Sequence, residues 1–265
     1  MRVMSIASGS SGNSYYIGNS DTSILLDAGI SMKRIEEGLK KADVKLSEVN
    51  ALLITHEHID HIKSLGVISR KYHLPVYATY GTIDGIMTTS SLGTFDYNLL
   101  KPIKNDSDFY IGDIRVNTHS ISHDANDPVS YTFENSGKKA AFATDLGIYD
   151  DFLVDFLSES EYMLIEANHD VRMLEVGPYP YPLKQRIKGD RGHLSNEAGG
   201  SLIKRLLHEK VKCISLGHLS DKNNYPALAF ETVKQIIQDN AFTSDVRDFN
   251  LGVAPRSECS DIVEL

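Results

Sequence analysis

The chain has 265 residues, 41% hydrophobic and 24% charged, an ordinary globular composition long enough to bury a sizeable core in one domain. A formal net charge of −9 excludes a broadly basic surface of the kind that holds nucleic acid regardless of sequence, although two bound divalent cations would add about four positive charges locally. No run approaches the roughly 18 apolar residues of a membrane span, Met1-Arg2-Val3-Met4 opens into a strand pattern rather than a signal sequence, and Cys213 and Cys259 make no disulfide framework, so the expectation is a cytoplasmic protein without a membrane partner.

In chain order, strands and turns alternate first: Arg2 to Ala7, a Ser8-Gly9-Ser10-Ser11-Gly12 turn, Asn13 to Ile17, and Thr22 to Asp27, an antiparallel meander. Ser31 is placed to cap a helix running through Lys41. The apolar strand Leu52-Leu53-Ile54 then runs straight into Thr55-His56-Glu57-His58-Ile59-Asp60-His61. Asp60 and His61 fall in the first turn of a helix expected to reach about Tyr72, because Ile62, Leu65 and Ile68 recur at helical spacing.

The pattern continues with a strand at Val76 to Thr79, a helix at Thr82 to Thr88, a strand pair around Tyr110 to His119, and a hairpin joining Tyr131–Phe133 to Lys139–Thr144 across Asn135-Ser136-Gly137. A helix near Tyr149 to Leu157 leads to a strand at Tyr162 to Glu166. Gly177-Pro178-Tyr179-Pro180-Tyr181-Pro182 reads as an exposed loop, since proline removes backbone donors. Ser195 caps a helix to about Glu209; Val211 to Leu216 is a buried strand; a helix over Ala227 to Asp239 precedes strands near Val246 to Phe249 and Asp261 to Leu265. A meander followed by alternating strands and helices predicts an α/β protein, two packed mixed sheets with helices outside, a four-layer αββα sandwich in a single domain over residues 1–265.

His56-x-His58-x-Asp60-His61 places four ligand-type side chains in six residues at a strand end. Neutral imidazole nitrogens and an anionic oxygen converge on a divalent metal at about 2.0–2.2 Å, and the mixed set suits Zn²⁺, Mn²⁺ or Fe²⁺. Four residues do not fill two metal sites. Further ligands stand at other strand ends: His123, Asp145 and His218, with His119 competing with His123 for third place and Asp145 also suited to capping a helix. The Ser8 to Ser14 loop, with Ser11 and Asn13, reads either as a hairpin turn or as a cradle for phosphate. Lys184, Arg186, Lys188 and Arg191 gather cations behind the Pro-Tyr stretch, which is either a solvated loop or a surface that tracks a nucleic-acid backbone.

With these residues the chain resembles the metallo-β-lactamase superfamily of metal-dependent hydrolases, whose fold is the sandwich inferred above. Asp27 matches the family's first motif, an aspartate that orients the ligand loop. The resemblance implies one metal on His56, His58 and His123, a second on Asp60, His61 and His218, and Asp145 bridging them. Gly192-His193-Leu194-Ser195-Asn196 is similar to a segment of ribonuclease Z whose histidine serves proton transfer, and Leu164-Ile165-Glu166-Ala167-Asn168-His169-Asp170 resembles that family's glutamate-containing strand end. Together with Ser8-Gly9-Ser10-Ser11-Gly12-Asn13-Ser14 and Gly217-His218-Leu219-Ser220-Asp221, these motifs look most like the YycJ/WalJ family, associated with DNA exonuclease activity. Nucleases of the β-CASP type fit badly, because the stretch from Asp145 to His218 is too short for their extra domain.

What the resemblance implies is a phosphodiesterase acting on DNA, 5′ to 3′, in which hydroxide held between two metals by Asp145 and oriented by Asp60 attacks phosphorus while His193 handles the leaving group's proton. Glu166 would support the ligands from behind, and His169 either does the same or touches substrate. Ser195 and Asn196, at the helix start, join the basic residues as substrate contacts. An RNA-processing nuclease of the ribonuclease Z type, or a hydrolase of small thioesters, lactones or cyclic phosphodiesters, would use the same metals. The small-molecule reading needs a closed pocket and gains little from the basic stretch.

Overall fold

Three short apolar strands, β1 (Arg2–Ala7), β2 (Ser14–Gly18) and β3 (Ser23–Leu26), pair antiparallel at the start of the chain, as the alternation of strand and turn residues predicts. In the computed structural model, which describes residues 1–238 and 249–265, the chain gathers into two units. The first comprises Met1–Ser120, Ala125–Gly137 and Pro255–Glu264; the second comprises Ile121–Asp124 and Lys138–Ala254, with Leu265. Among the described residues no helix is long and apolar enough to cross a membrane.

In the first unit, β4 (Ala51–Leu53), β5 (Val76–Thr79) and β6 (Leu100–Ile103) extend the meander in parallel, and β14 (Val263–Glu264) closes its other edge against β1. Ile24 pairs with Ala51 and Leu26 with Leu53, so β3 and β4 end level and the residues just beyond them, Asp27 and Thr55, meet. Helices α1 (Met32–Lys41), α3 (Leu65–Tyr72) and α4 (Tyr80–Thr88) bury Ile35, Leu39, Leu65, Ile68 and Ile86 in one cluster with Met4, Leu25 and Leu52 of the sheet and Ile54 just beyond β4. Each such side chain contributes about 1.5–3 kcal/mol of burial. A second antiparallel group, β7 (Asp108–Ile111), β8 (Ile114–Ser120) and β9 (Val129–Asn135), packs on this sheet. Tyr131 Oη donates to the Ile54 carbonyl at 2.9 Å and the rings of Tyr77 and Phe109 stack at 5.5 Å.

In the second unit, β10 (Lys138–Ala143), β11 (Tyr162–Glu166), β12 (Cys213–Gly217) and β13 (Asn250–Val253) run parallel in that order. Helices α5 (Asp151–Leu157), α8 (Asn196–Leu206) and α9 (Pro226–Ile237) cover them through a second apolar cluster that includes Leu157, Met163, Ile165, Leu202, Ile214 and Val233. Parallel strands direct their carboxyl ends to one edge, and Glu166, the last residue of β11, lies level with Gly217 at the end of β12.

Several sequence expectations are corrected. The helix expected from Asp60 to Tyr72 is two helices, α2 (Ile59–Ile62) and α3, separated at Lys63 and Ser64. The Asp60 carbonyl, which would accept from Ser64 N in a continuous helix, instead accepts from Asn13 N at 2.8 Å, and Ser64 N donates to Ala28 O at 2.8 Å. The Pro-Tyr stretch is loop only through Pro180. Helix α7 (Tyr181–Lys188) starts inside it, because Pro182 occupies a first-turn position that needs no amide donor. Strand β6 and helix α6 (Val171–Val176) escaped the sequence reading: β6 contains Pro102, tolerated at a sheet edge, and α6 is only six residues long. The strand expected near Val246 to Phe249 and the helix end at Asp239 lie largely outside the described residues, and β13 begins at Asn250.

Candidate metal centre

In the first unit the candidate ligands follow β4. Asp27, with φ of 59° in the left-handed region, leaves β3 so that its carboxylate turns under the loop. Asp27 Oδ1 accepts from Thr55 N at 2.9 Å, and Oδ2 lies 2.7 Å from His61 Nδ1. Thr55 Oγ1 donates to Asp27 and stands 3.0 Å from His56 Nδ1. The rings of His56 and His58 are 4.6 Å apart between centroids, those of His56 and His61 4.1 Å, and Asp60 Oδ2 is 3.6 Å from His61 Nε2. His56 and His61 are buried while His58 and Asp60 are partly exposed. Thr55, which joins Asp27 to His56 and His61, is a contact that the sequence reading missed. Its only sequence signal is a hydroxyl directly ahead of His56-x-His58.

The loop is clamped by the segment after β3 and by the β1–β2 turn. Gly29 lies against the Asp60 carbonyl, where a Cβ would come within 1.6 Å, so no other residue fits there without moving the ligand loop. Asn13, expected at the substrate, is fully buried: its Oδ1 accepts from Gly9 N at 2.9 Å, and its Nδ2 is 3.1 Å from His61 Nε2. Its amide packs the loop, whereas Ser11 is exposed.

In the second unit the candidates stand beyond β10, β11 and β12. Asp145 and His218 also adopt left-handed backbone, with φ of 61° and 55°. Such conformations cost about 1–3 kcal/mol each and persist where packing over-determines them. Glu166 is the hub: its Oε1 accepts from His193 Nδ1 at 2.9 Å and His218 Nδ1 at 2.8 Å, and its Oε2 accepts from Leu146 N at 2.8 Å and Leu194 N at 3.0 Å. Burial alone would raise this carboxyl, but the His193 and His218 rings hold it down at about 2. Asp145 Oδ1 lies 3.5 Å from His218 Nδ1, 3.7 Å from His123 Nε2 and 3.8 Å from His193 Nδ1. Asp145, Glu166, His193 and His218 each offer one ligand-type atom within 4.8 Å of the others. His123 is buried, with Nδ1 3.1 Å from the Gly192 carbonyl, whereas His119 sits on β8 with Nδ1 2.9 Å from Asp106.

One chemical feature runs through both clusters. Nδ1 of His56, His61, His123 and His218 faces a hydroxyl, carboxylate or carbonyl oxygen. A ring whose Nδ1–H donates keeps its Nε2 lone pair for a metal, the arrangement metal-binding imidazoles generally show, although in His61 that nitrogen faces the Asn13 side-chain amide at 3.1 Å. The donor set therefore fits divalent cations.

The basic residues are engaged with the protein. Arg186 forms a two-point pair with Asp124, Lys188 Nζ is 2.7 Å from Glu175, Lys184 Nζ donates to the Glu175 carbonyl at 2.8 Å, and Arg191 Nε donates to the His123 carbonyl at 3.0 Å. Arg191 and the Arg186–Asp124 pair thus also brace the His123 loop. Ser195 Oγ accepts from Ala198 N at 3.2 Å as the expected helix cap, and buried Asn196 bonds His169 O through its backbone and Asn224 through its side chain.

Residues 22–214 match the family model described as the beta-lactamase superfamily domain. The chain is 38% identical over 237 residues to exodeoxyribonuclease YycJ of Bacillus anthracis, covering 89% of each. It is 41% identical over 234 residues to exodeoxyribonuclease WalJ of Streptococcus pneumoniae, covering 88% of this chain and 87% of that one. A crystal structure of the short form of human tRNase Z superposes over the whole of both chains with a TM-score of 0.67 at 15% identity, a likeness of fold. The fold class is the expected α/β sandwich, two mixed sheets flanked by helices, and the chain is a metal-dependent hydrolase. The chain belongs to the beta-lactamase superfamily and is akin to the YycJ/WalJ exodeoxyribonucleases.

Proposed function

We propose that this hydrolase is a DNA exonuclease working 5′ to 3′ on two divalent cations. The observation that carries the reading is the Glu166–His193 pair beside Asp145, in a chain about 40% identical to exodeoxyribonucleases. As the family resemblance implies, His56, His58 and His123 would hold one cation and Asp60, His61 and His218 the other, with Asp145 shared between them. When bound, such cations polarise phosphate oxygens and bring an attacking water's pKa near neutrality.

The chain's own residues supply the rest. Asp60, partly exposed, orients the attacking water, and Asp145 keeps it in line with phosphorus. As the bond from phosphorus to the departing sugar oxygen breaks, protonated His193 gives its Nε2 proton to that oxygen. Glu166, whose carboxyl the neighbouring imidazoles hold below its ordinary range, accepts from Nδ1 and stabilises the imidazolium beforehand. A well-placed acid of this kind contributes about 10²–10⁴-fold.

The experiment is a panel of end-labelled single- and double-stranded DNA and RNA incubated with purified protein and Mn²⁺ or Zn²⁺. Stepwise release of mononucleotides from the 5′ end of DNA is expected. Endonucleolytic trimming of RNA with DNA untouched would instead establish the ribonuclease reading, and cleavage of small esters alone would overturn both.

A further inference from the structure

The second unit contains a cleft of about 290 Å³ beside His193 that the proposed chemistry does not use. Its lining includes His169, Val171, Lys188, His193, Ser195 and Ala198. Ser195 and Ala198 belong to the cap and first turn of α8, an 11-residue helix, so backbone amides and the positive end of the helix dipole border the cavity. His169 is 2% exposed, and its Nδ1 has no hydrogen-bond partner among the described residues. Its backbone carbonyl is fixed by Asn196 N at 2.9 Å, so the ring stays at the cleft wall. Lys188 contributes an ammonium whose partner, Glu175, is half exposed, and an ion pair this open to solvent exchanges easily.

A helix start, an ammonium, a hydroxyl and an imidazole nitrogen lacking a partner, all at one concavity, suit an anion with several acceptor oxygens. His193 Nδ1 is occupied by Glu166, so Nε2 is the atom this ring has to offer, and on the reading above it serves the leaving group. The geometry points to a phosphate subsite: the cleft holds the backbone phosphate next to the scissile one, in the part of the strand that remains after cleavage, with Lys188 and His169 as its contacts. This rests on the nuclease reading and refines it. Glu175 holds the Lys188 ammonium in place until the phosphate replaces it.

The test uses the metal-loaded protein and DNA oligonucleotides with a single uncharged methylphosphonate either at the linkage next to the terminal cleavable bond or several linkages further in. Neutralising the adjacent linkage should raise KM severalfold, and neutralising the distant one should not. Lys188→Ala should raise KM on ordinary DNA by a similar factor, add nothing on the adjacent-linkage methylphosphonate, and lower the salt slope of single-strand binding by about 0.7. Glu175→Gln, which frees Lys188, should lower KM. Independent, multiplying effects of Lys188→Ala and the methylphosphonate, or a raised KM in Glu175→Gln, would overturn the subsite while leaving the nuclease intact. If no oligonucleotide is cut but a nitrophenyl phosphodiester is, the nuclease reading itself fails. Histidine-ring NMR then decides the cleft: response to inorganic phosphate as strong as to a dinucleotide marks a free-phosphate site and ends this proposal.

Discussion

Asp27 in the first unit and Glu166 in the second are both fully buried carboxylates at strand ends, and both hold histidines, yet they are pushed in opposite directions. Burial raises the Asp27 carboxyl above its ordinary value, and one imidazole, His61, with the amide and hydroxyl of Thr55, does not offset it. Glu166 suffers the same burial but faces two imidazoles, His193 and His218, which bring it down to about 2. Two imidazoles beside Glu166, against one beside Asp27, account for the opposite directions. Asp27 is built to position a loop, whereas Glu166 is built to remain an anion beneath a proton donor.

The largest effect that tests this contrast comes from the ligands. His58→Ala in the first unit and His218→Ala in the second should each lose metal and reduce DNA turnover by roughly a thousandfold or more, read by elemental analysis with circular dichroism as a check on folding. If His58→Ala retains full activity, the first cluster is not part of the chemistry and the comparison collapses. Next, His193→Ala should keep its metal and fold while turnover on DNA falls by about 10²–10⁴-fold. A nitrophenyl ester, whose leaving group departs without a proton, should suffer much less, and equal losses would make His193 a positioning residue.

The carboxylates themselves come third. Asp27→Asn and Glu166→Gln should each weaken metal affinity by about 10–100-fold. Only Glu166→Gln should reproduce the leaving-group dependence of His193→Ala, because only Glu166 touches that ring. The same signature in Asp27→Asn would erase the distinction.

A pH experiment sharpens the second unit alone. Burial holds His169 neutral, with a pKa lowered from 6.5 to about 4. The unfolded chain therefore binds this proton first, so the contribution is whole above about pH 6.5 and is lost as pH falls toward 4, up to about 3 kcal/mol. Urea midpoints of the native chain should fall across that window, and those of His169→Asn should fall less. The smallest expected effects are the caps. Ser31→Ala and Ser195→Ala should each cost about 1 kcal/mol of stability, read by thermal melts, with Ser195→Ala alone also altering DNA cleavage, since only Ser195 borders the cleft.

Much of this architecture is legible in one dimension. Apolar runs ending in Asp27, His56, Asp145, Glu166 and His218 show strands that deliver polar side chains at their ends, and Ser31 and Ser195 announce helices through a hydroxyl that reaches an amide three residues on. The helix break at Ser64 is not legible. Ile62, Leu65 and Ile68 keep helical spacing across it, and the carbonyl that a continuous helix requires is claimed by Asn13, 47 residues earlier. Arg186 reads as a free cation until Asp124, 62 residues away, is found against it.

By itself, then, the sequence determined most of the strands and helices, the residue types at their ends, and a donor chemistry suited to divalent metals, because these depend on side chains a few residues apart. Tertiary structure alone decided that Thr55 ties Asp27 to His56, that Glu166 receives both His193 and His218, and that His169 keeps a nitrogen without a partner among the described residues at the wall of a cleft. Those facts follow from the left-handed turns and level strand ends that bring distant segments together, and hydrogen bonds between such segments leave no periodic trace in the chain.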